Sequence, residues 1–330
     1  MNKCFICGKE IFKDAIEHVI PSALGGKLTA DILCKDHNSV FGDSIDIDLI
    51  RCMGFYTNIL NPRRGRGGNH PDYVFDSEKG KINRCASGEI SHKNIEYQTD
   101  SNGNPKLSIS LMGENVEKDA KKIAGNFITK NGKKNKWNDE KISEELKKLD
   151  DVIKDKTQTI QCPELSKQIA LGTDNSWLGI IKIAVEFAII NGINITYLKD
   201  KIDILRTKDI NKAKCFSGFY YPSDTFYDIS ICHTIILIGN NQNGVLYCLV
   251  SLYNVWNSLV ILSDNYDGQD IRKTYCYDLM NNKEINQSIK HYVLNKNILF
   301  DTIKPSPNNI PKYKDHILHF LNFFSEKKHI

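Results

Sequence analysis

Two short cysteine/histidine spacings at the start of the chain constrain its fold more than any other feature. Cys4-x2-Cys7 is followed, after residues 8–33, by Cys34-x2-His37. A two-residue gap lets both side chains of a pair turn toward one ion. Two such pairs supply the four nitrogen and sulfur ligands of a tetrahedral structural zinc site. The loop between the pairs is too short to build a large core, so the metal supplies folding energy to the segment. The spacing therefore predicts a compact Zn2+-clasped module at the N-terminus.

The remaining cysteines do not continue this pattern. The chain holds ten in 330 residues, and only Cys4, Cys7 and Cys34 are grouped with another soft ligand. A disulfide scaffold would be shorter and more regularly spaced, so a reducing, cytoplasmic setting is expected. The opening "MNKCFICGKE" lacks the apolar run of a signal peptide. The most apolar helix candidate, Trp177 to Ile190, is interrupted by Lys182 and Glu186 and is short for a bilayer span, so no membrane partner is expected. A net charge of +4 permits a nucleic-acid partner without demanding one, so any basic footprint must be local.

A structural zinc does not require what lies between the two pairs. The stretch "EHVIPSALGG" places Glu17 and His18 before a short apolar run, with Pro21 ending the strand and Gly25-Gly26 closing a turn. Asn38 follows His37 directly, and Gly42 follows soon after. In this order the residues resemble the zinc-bracketed branch of the HNH endonuclease family, over about residues 1–45: C-x-x-C, then E-H-hydrophobic-hydrophobic-P, then L-G-G, then C-x-x-C-N. His37 stands here where that pattern has a cysteine.

The resemblance implies a ββα-metal fold, two strands and a helix around one catalytic cation. It implies His18 as the general base that activates water, since an imidazole can take a proton near neutral pH. Asn38 stands where the family name has its final His, and its amide oxygen suits a hard cation such as Mg2+ or Mn2+. Glu17 is implied as the carboxylate ligand of the same ion, which would stabilise charge on the leaving oxygen. The middle Asn of the family, which orients the base, has no clear counterpart; Asp31 is nearest by position. Ideal strand geometry also sends neighbouring side chains to opposite faces, so Glu17 and His18 cannot both face one ion without a local bend. Other readings stay open: His18 as a zinc ligand, Glu17 as a solvated strand residue, Asn38 as a helix cap.

Beyond the module, "NPRRGRGGNHPDY" carries Arg63, Arg64 and Arg66 among glycines, the most nucleic-acid-like loop in the chain. Arginine forks pair with phosphate oxygens, and glycines let backbone approach closely. Lys133, Lys134 and Lys136 beside Trp137 read as a charged solvated linker, and the aromatic run from Phe216 to Tyr227 reads as core. "NIEYQT" and "KLSISLM" around "DSNGNP" read as strands, as do "HTIILIG" and "GVLYCLVSLY" around "NNQNG". "GENVEKDAKKIAGNFI" reads as an amphipathic helix, and "NSWLGIIKIAVEFAIINGI" as a buried one opened by an Asn-Ser cap.

The expected fold class is α+β: a nuclease module with zinc knuckles and basic loop over 1–75, a mixed strand/helix connecting region over 76–157, and an α+β domain with antiparallel strands over 158–330, serving specificity, dimerisation or regulation. The expected function is metal-dependent hydrolysis of phosphodiesters in double-stranded DNA, in restriction or anti-phage defence. A homodimer and a small-molecule or protein effector are among the expected partners. The alternatives are a zinc-containing DNA-binding regulator without cleavage, and a nuclease silent until an effector binds the C-terminal domain.

Overall fold

The structure, a computed structural model, describes the chain apart from residues 1–2, 12–15, 64–69, 79, 102–104, 159–163, 165, 167, 222–229, 287–290, 307–308 and 329–330. Its fold is α+β, with antiparallel sheets, and it forms two units: residues 1–70 with 169–330, and residues 71–168.

The first unit opens with two-residue strands. β1 (Glu17–His18) pairs antiparallel with β2 (Thr29–Ala30), Glu17 opposite Ala30 and His18 opposite Thr29. Pro21 ends β1, and a 3-10 turn over Ser22–Leu24 follows it. Gly26 then passes so close to the apolar run before it that an added Cβ would lie 1.9 Å from the Ile20 carbonyl oxygen. Only glycine fits there, which explains this half of the Gly-Gly pair. Helix α1 (Lys35–Phe41) continues through a π-helical turn, Gly42–Asp46, into α2 (Ile47–Cys52), and α3 (Gly54–Leu60) follows.

The second unit holds β3 (Tyr73–Ser77), β4 (Gly80–Arg84), β5 (Ile90–Thr99) and β6 (Pro105–Met112), an antiparallel sheet in chain order. It also holds α4 (Val116–Lys134) and α5 (Asp139–Lys156). The Asn138 side chain caps α5 by accepting from Lys141 N–H at 2.9 Å. The lysines expected in a linker fall partly in the last turn of α4, at Lys133 and Lys134.

The chain then returns to the first unit with α6 (Ser176–Ile190), followed by α7 (Lys199–Thr207) and α8 (Ile210–Phe216). Strands β7 (Ser217–Phe219), β8 (Cys232–Asn240), β9 (Val245–Leu252), β10 (Trp256–Ser263), β11 (Ile271–Asp278) and β12 (Lys283–Glu284) form one sheet in the order β12-β11-β8-β9-β10-β7. Helices α9 (Lys296–Thr302) and α10 (Asn309–Lys328) complete the unit.

Helix α6 organises this unit. Residues 176–188 are all buried, as an all-round apolar helix requires. The Asn175 side chain makes no cap bond; Ser176 instead donates its hydroxyl to the Thr173 carbonyl. One side of α6 packs on β8, β9 and β10, the other on α2 and the π-helical turn. At Gly179 an added Cβ would lie 2.9 Å from Leu49, so α6 and α2 meet almost backbone to backbone. Leu178, Ile180, Ile181, Ile183, Val185 and Phe187 are all buried, each contributing roughly 1.5–3 kcal/mol. Leu299 and Ile303 cover the opposite face of the sheet. The zinc-binding segment and the C-terminal sheet thus share one core, an arrangement that three consecutive segments do not anticipate. Among the described residues no helix is long and apolar enough to cross a membrane.

Candidate metal centre and active site

The four residues of the two short spacings come together. The ligand atoms of Cys4, Cys7, Cys34 and His37 all lie within 4.8 Å of one another. Cys4 and Cys7 sit on a tight turn in which Cys4 N–H donates to the Lys9 carbonyl and Gly8 N–H to the Cys4 carbonyl, both at 2.8 Å. Cys34 is the N-cap of α1, and His37 lies one turn into that helix. Cys7 and Cys34 sulfurs are 3.8 Å apart, and His37 Nδ1 is 3.7 Å from Cys4 Sγ and 3.2 Å from Cys34 Sγ. Zinc–sulfur bonds of about 2.3 Å in a tetrahedron put sulfurs about 3.8 Å apart, so the set fits a structural zinc ion through His37 Nδ1. Burial pushes both thiols of the first pair up. At Cys4 it prevails, while at Cys7 hydrogen bonds from Lys9 N–H and from the Cys4 and Cys34 thiols outweigh it and lower the value. His18 is not part of this cluster.

The quartet ties α1 to the Cys4–Cys7 turn, and Asn38 ties α1 to the start of β1. Asn38 lies inside α1 rather than at its cap, and its Nδ2 donates to the Ile16 carbonyl at 3.2 Å. No donor among the described residues reaches its Oδ1, an oxygen of the kind a hard cation takes. Along β1 the side chains alternate. Ile16 is exposed, Glu17 is 3 % exposed and His18 is half-buried, so the imidazole lies on the outer side and the carboxylate on the inner side.

Glu17 therefore points into the core. Its Oε1 accepts a hydrogen bond from Nζ of Lys182, in the middle of α6. The same ammonium lies 3.2 and 3.3 Å from the two carboxylate oxygens of Asp46, in the π-helical turn, and 3.5 Å from Oε2 of Glu186. Burial alone would lower the Lys182 pKa, but the charges of Asp46, Glu186 and Glu17 outweigh it and raise it, so Lys182 stays an ammonium. Burial raises all three carboxyls, and Lys182 only partly offsets this. One ammonium cannot neutralise three carboxylates. Burial raises Glu186 well above the usual carboxylate range, and Lys182, 3.5 Å from its Oε2, only partly opposes this. His18 also acts on Asp46, its charge favouring the Asp46 carboxylate.

The remaining candidates are more loosely placed. Asp31 is exposed in the loop after β2. The Arg63 carbonyl accepts from Lys27 Nζ at 2.7 Å, which brings two cationic residues together beside the Gly-Gly turn. Arg64 and Arg66 lie outside the described residues, as do Phe226 and Tyr227 of the aromatic run. The Leu24 carbonyl of the same turn is held from the C-terminal sheet, by His233 Nε2 and by the Tyr253 hydroxyl, each at 2.8 Å.

Sequence reasoning missed Lys182, Asp46 and Glu186. A signal existed for two of them: Lys182 and Glu186 are four residues apart in a helix that is otherwise almost wholly apolar, where an unpartnered charge does not survive burial.

Residues 4–53 match the family model described as HNH endonuclease. No curated protein and no solved structure matches the chain. The N-terminal segment is thus an HNH-type module with a zinc-competent ligand set, which points to nuclease chemistry and contact with nucleic acid.

Proposed function

We propose that the chain is a metal-dependent endonuclease that hydrolyses phosphodiester bonds of double-stranded DNA. One arrangement carries the reading. A zinc-competent quartet anchors α1 to the Cys4–Cys7 turn, and the Asn38–Ile16 bond ties α1 to the start of β1, where His18 is half-exposed. His18 takes the proton from the attacking water as general base. Asn38, through its Oδ1, would hold a Mg2+ or Mn2+ ion, which would neutralise charge at the scissile phosphate and the leaving oxygen. The resemblance gives Glu17 to the same ion. With its carboxylate turned inward to Lys182, Glu17 serves in this reading to brace β1.

Arg63, Arg64 and Arg66 bind the DNA backbone beside the cut. Residues outside 4–53 supply specificity, dimerisation or control, and the biological role is restriction or anti-phage defence, by analogy with the module alone.

The test is a plasmid incubated with the full chain and Mg2+ or Mn2+, with and without chelator, and resolved on a gel. Nicking or cutting that disappears in His18→Ala, with zinc content unchanged, is the expected result. Binding without cutting in any divalent ion makes the protein a zinc-containing DNA-binding regulator. Loss of zinc from His18→Ala assigns His18 to the metal clasp.

A further inference from the structure

The buried charge network described above lies against the module and is anchored outside it. Lys182 belongs to α6, far beyond residues 4–53, yet its ammonium bonds to Glu17, the residue before the proposed base, and contacts Asp46 in the turn that prolongs α1. Those two carboxylates sit on the two halves of the module. Glu17 is on β1 with His18, while Asp46 ends the π-helical turn continuous with the helix that carries Asn38. Without a cation between them both would be buried and unmatched, and like charges would drive the two halves apart. Hydrophobic packing alone would leave the register of a two-residue strand weakly specified.

We propose that Lys182 is a positioning residue of the nuclease site: its ammonium clamps β1 to the π-helical turn, so that His18 and Asn38 are held in one fixed geometry. The clamp rests on the nuclease reading above for its functional meaning. It makes the C-terminal core a working part of the catalytic module. An isolated 1–75 segment lacks the lysine and leaves Glu17 and Asp46 facing each other without a cation. The other carboxylate near Lys182, Glu186, lies on α6 itself and bridges to neither half of the module, though Glu17 and Asp46 feel its charge, so it separates loss of the bridge from loss of a nearby charge.

The experiment compares the full-length wild type with Lys182→Met, Lys182→Arg and Glu186→Gln, each loaded with one zinc per chain. Kinetics on plasmid DNA are measured with Mg2+, and backbone hydrogen exchange is measured at residues 17–19. Val19 N–H, bonded to the Leu28 carbonyl at 3.0 Å, reports directly on β1. A displacement of the base by about an ångström is expected to lower kcat by about a hundredfold. Lys182→Met should show that loss with KM for DNA unchanged and with faster exchange at 17–19. Lys182→Arg should recover part of kcat, and Glu186→Gln should stay within about twofold of wild type.

A Lys182→Met protein with wild-type kcat and wild-type exchange overturns the proposal, and so does an equal loss in Glu186→Gln. If Lys182→Met does not fold, the isosteric Asp46→Asn, which removes one carboxylate charge, reads the same clamp through the same two measurements. If the wild type cuts no DNA with any divalent ion, the nuclease reading fails by itself. Exchange at 17–19 then decides the clamp: unchanged protection in the variant refutes it.

Discussion

Acidification should loosen the Gly-Gly turn of the module through a histidine outside the zinc-competent quartet. His233 is fully buried in β8, and both of its ring nitrogens are committed. Nε2–H donates to the Leu24 carbonyl at 2.8 Å, and Nδ1 accepts from Tyr253 N–H at 3.4 Å. A second proton would have to sit on Nδ1, facing a donor, inside a core that offers no countercharge among the described residues. Burial accordingly pushes the His233 pKa from 6.5 down to about 4, only partly opposed by the bond to Leu24. The folded value lies below the unfolded one, so the unfolded chain binds more protons between them and stability rises with pH there. The contribution is complete above about pH 6.5 and is lost as pH falls through about 4. Over the whole window this amounts to on the order of 3 kcal/mol, of which about 2 kcal/mol is lost between about pH 7 and pH 5. Denaturant titrations of zinc-loaded wild type and His233→Gln at those two pH values measure it. Gln keeps a donor for Leu24 but cannot titrate, so its stability should fall by about 2 kcal/mol less than that of the wild type. His291, also lowered to about 4 by burial, is present in both proteins and cancels. Parallel pH dependences in the two proteins would refute the reasoning.

Four further outcomes are expected. Cys34→Ser should lose its zinc and unfold the segment around β1 and α1, read as zinc per chain by atomic absorption and as lost amide protection there. Gly26→Ala should destabilise by about 3 kcal/mol or more, measured as a shift in denaturation midpoint, because its Cβ meets the backbone of Ile20 rather than a side chain that can yield. Lys201→Met should stabilise at neutral pH. Burial lowers Lys201 from 10.5 to about 8, so the charged form is disfavoured below about pH 8 and the penalty fades toward 10.5. The gain at pH 7 should be on the order of 2 kcal/mol after loss of the ammonium–ring contact with Phe216 at 3.6 Å, and it should shrink in alkaline denaturation curves. The Arg63→Ala, Arg64→Ala, Arg66→Ala triple variant should bind all DNA sequences more weakly, with a salt dependence shallower by about two to three units of slope in filter-binding assays.

The elements that could be read from the sequence are those whose determinants are close together in the chain. The metal quartet was legible because each pair needs only a two-residue gap. The β8–β9 hairpin was legible because "NNQNG" marks the turn between two β-branched runs, and α6 because its apolar run is long. Asp46 was not: in "GDSIDID" it looks like one more solvated acid on an exposed helix, and only the π-helical turn rotates it inward. The partnership of Glu17 with Lys182 joins residues 165 positions apart and leaves no local trace on either side. The same holds for the sheet order, in which β11 pairs with β8 and the short β7 closes the far edge beside β10. Long-range register of that kind is decided by burial in the finished core, not by propensity.

The neck of the second unit has a consequence of its own. Asp76, on its first strand, and Ser166, near its end, bond to each other through both backbone groups, at 2.9 and 2.8 Å. Its two ends therefore leave from one place, like the handles of closed scissors. A segment with paired ends can be lengthened, exchanged or lost in evolution without re-threading its host, because the gap to be rejoined stays short whatever the cargo. The first unit keeps its own core on either side of that junction. Residues 71–168 are thus arranged as a cassette, and sister proteins built on the same host should differ most between Asp76 and Ser166.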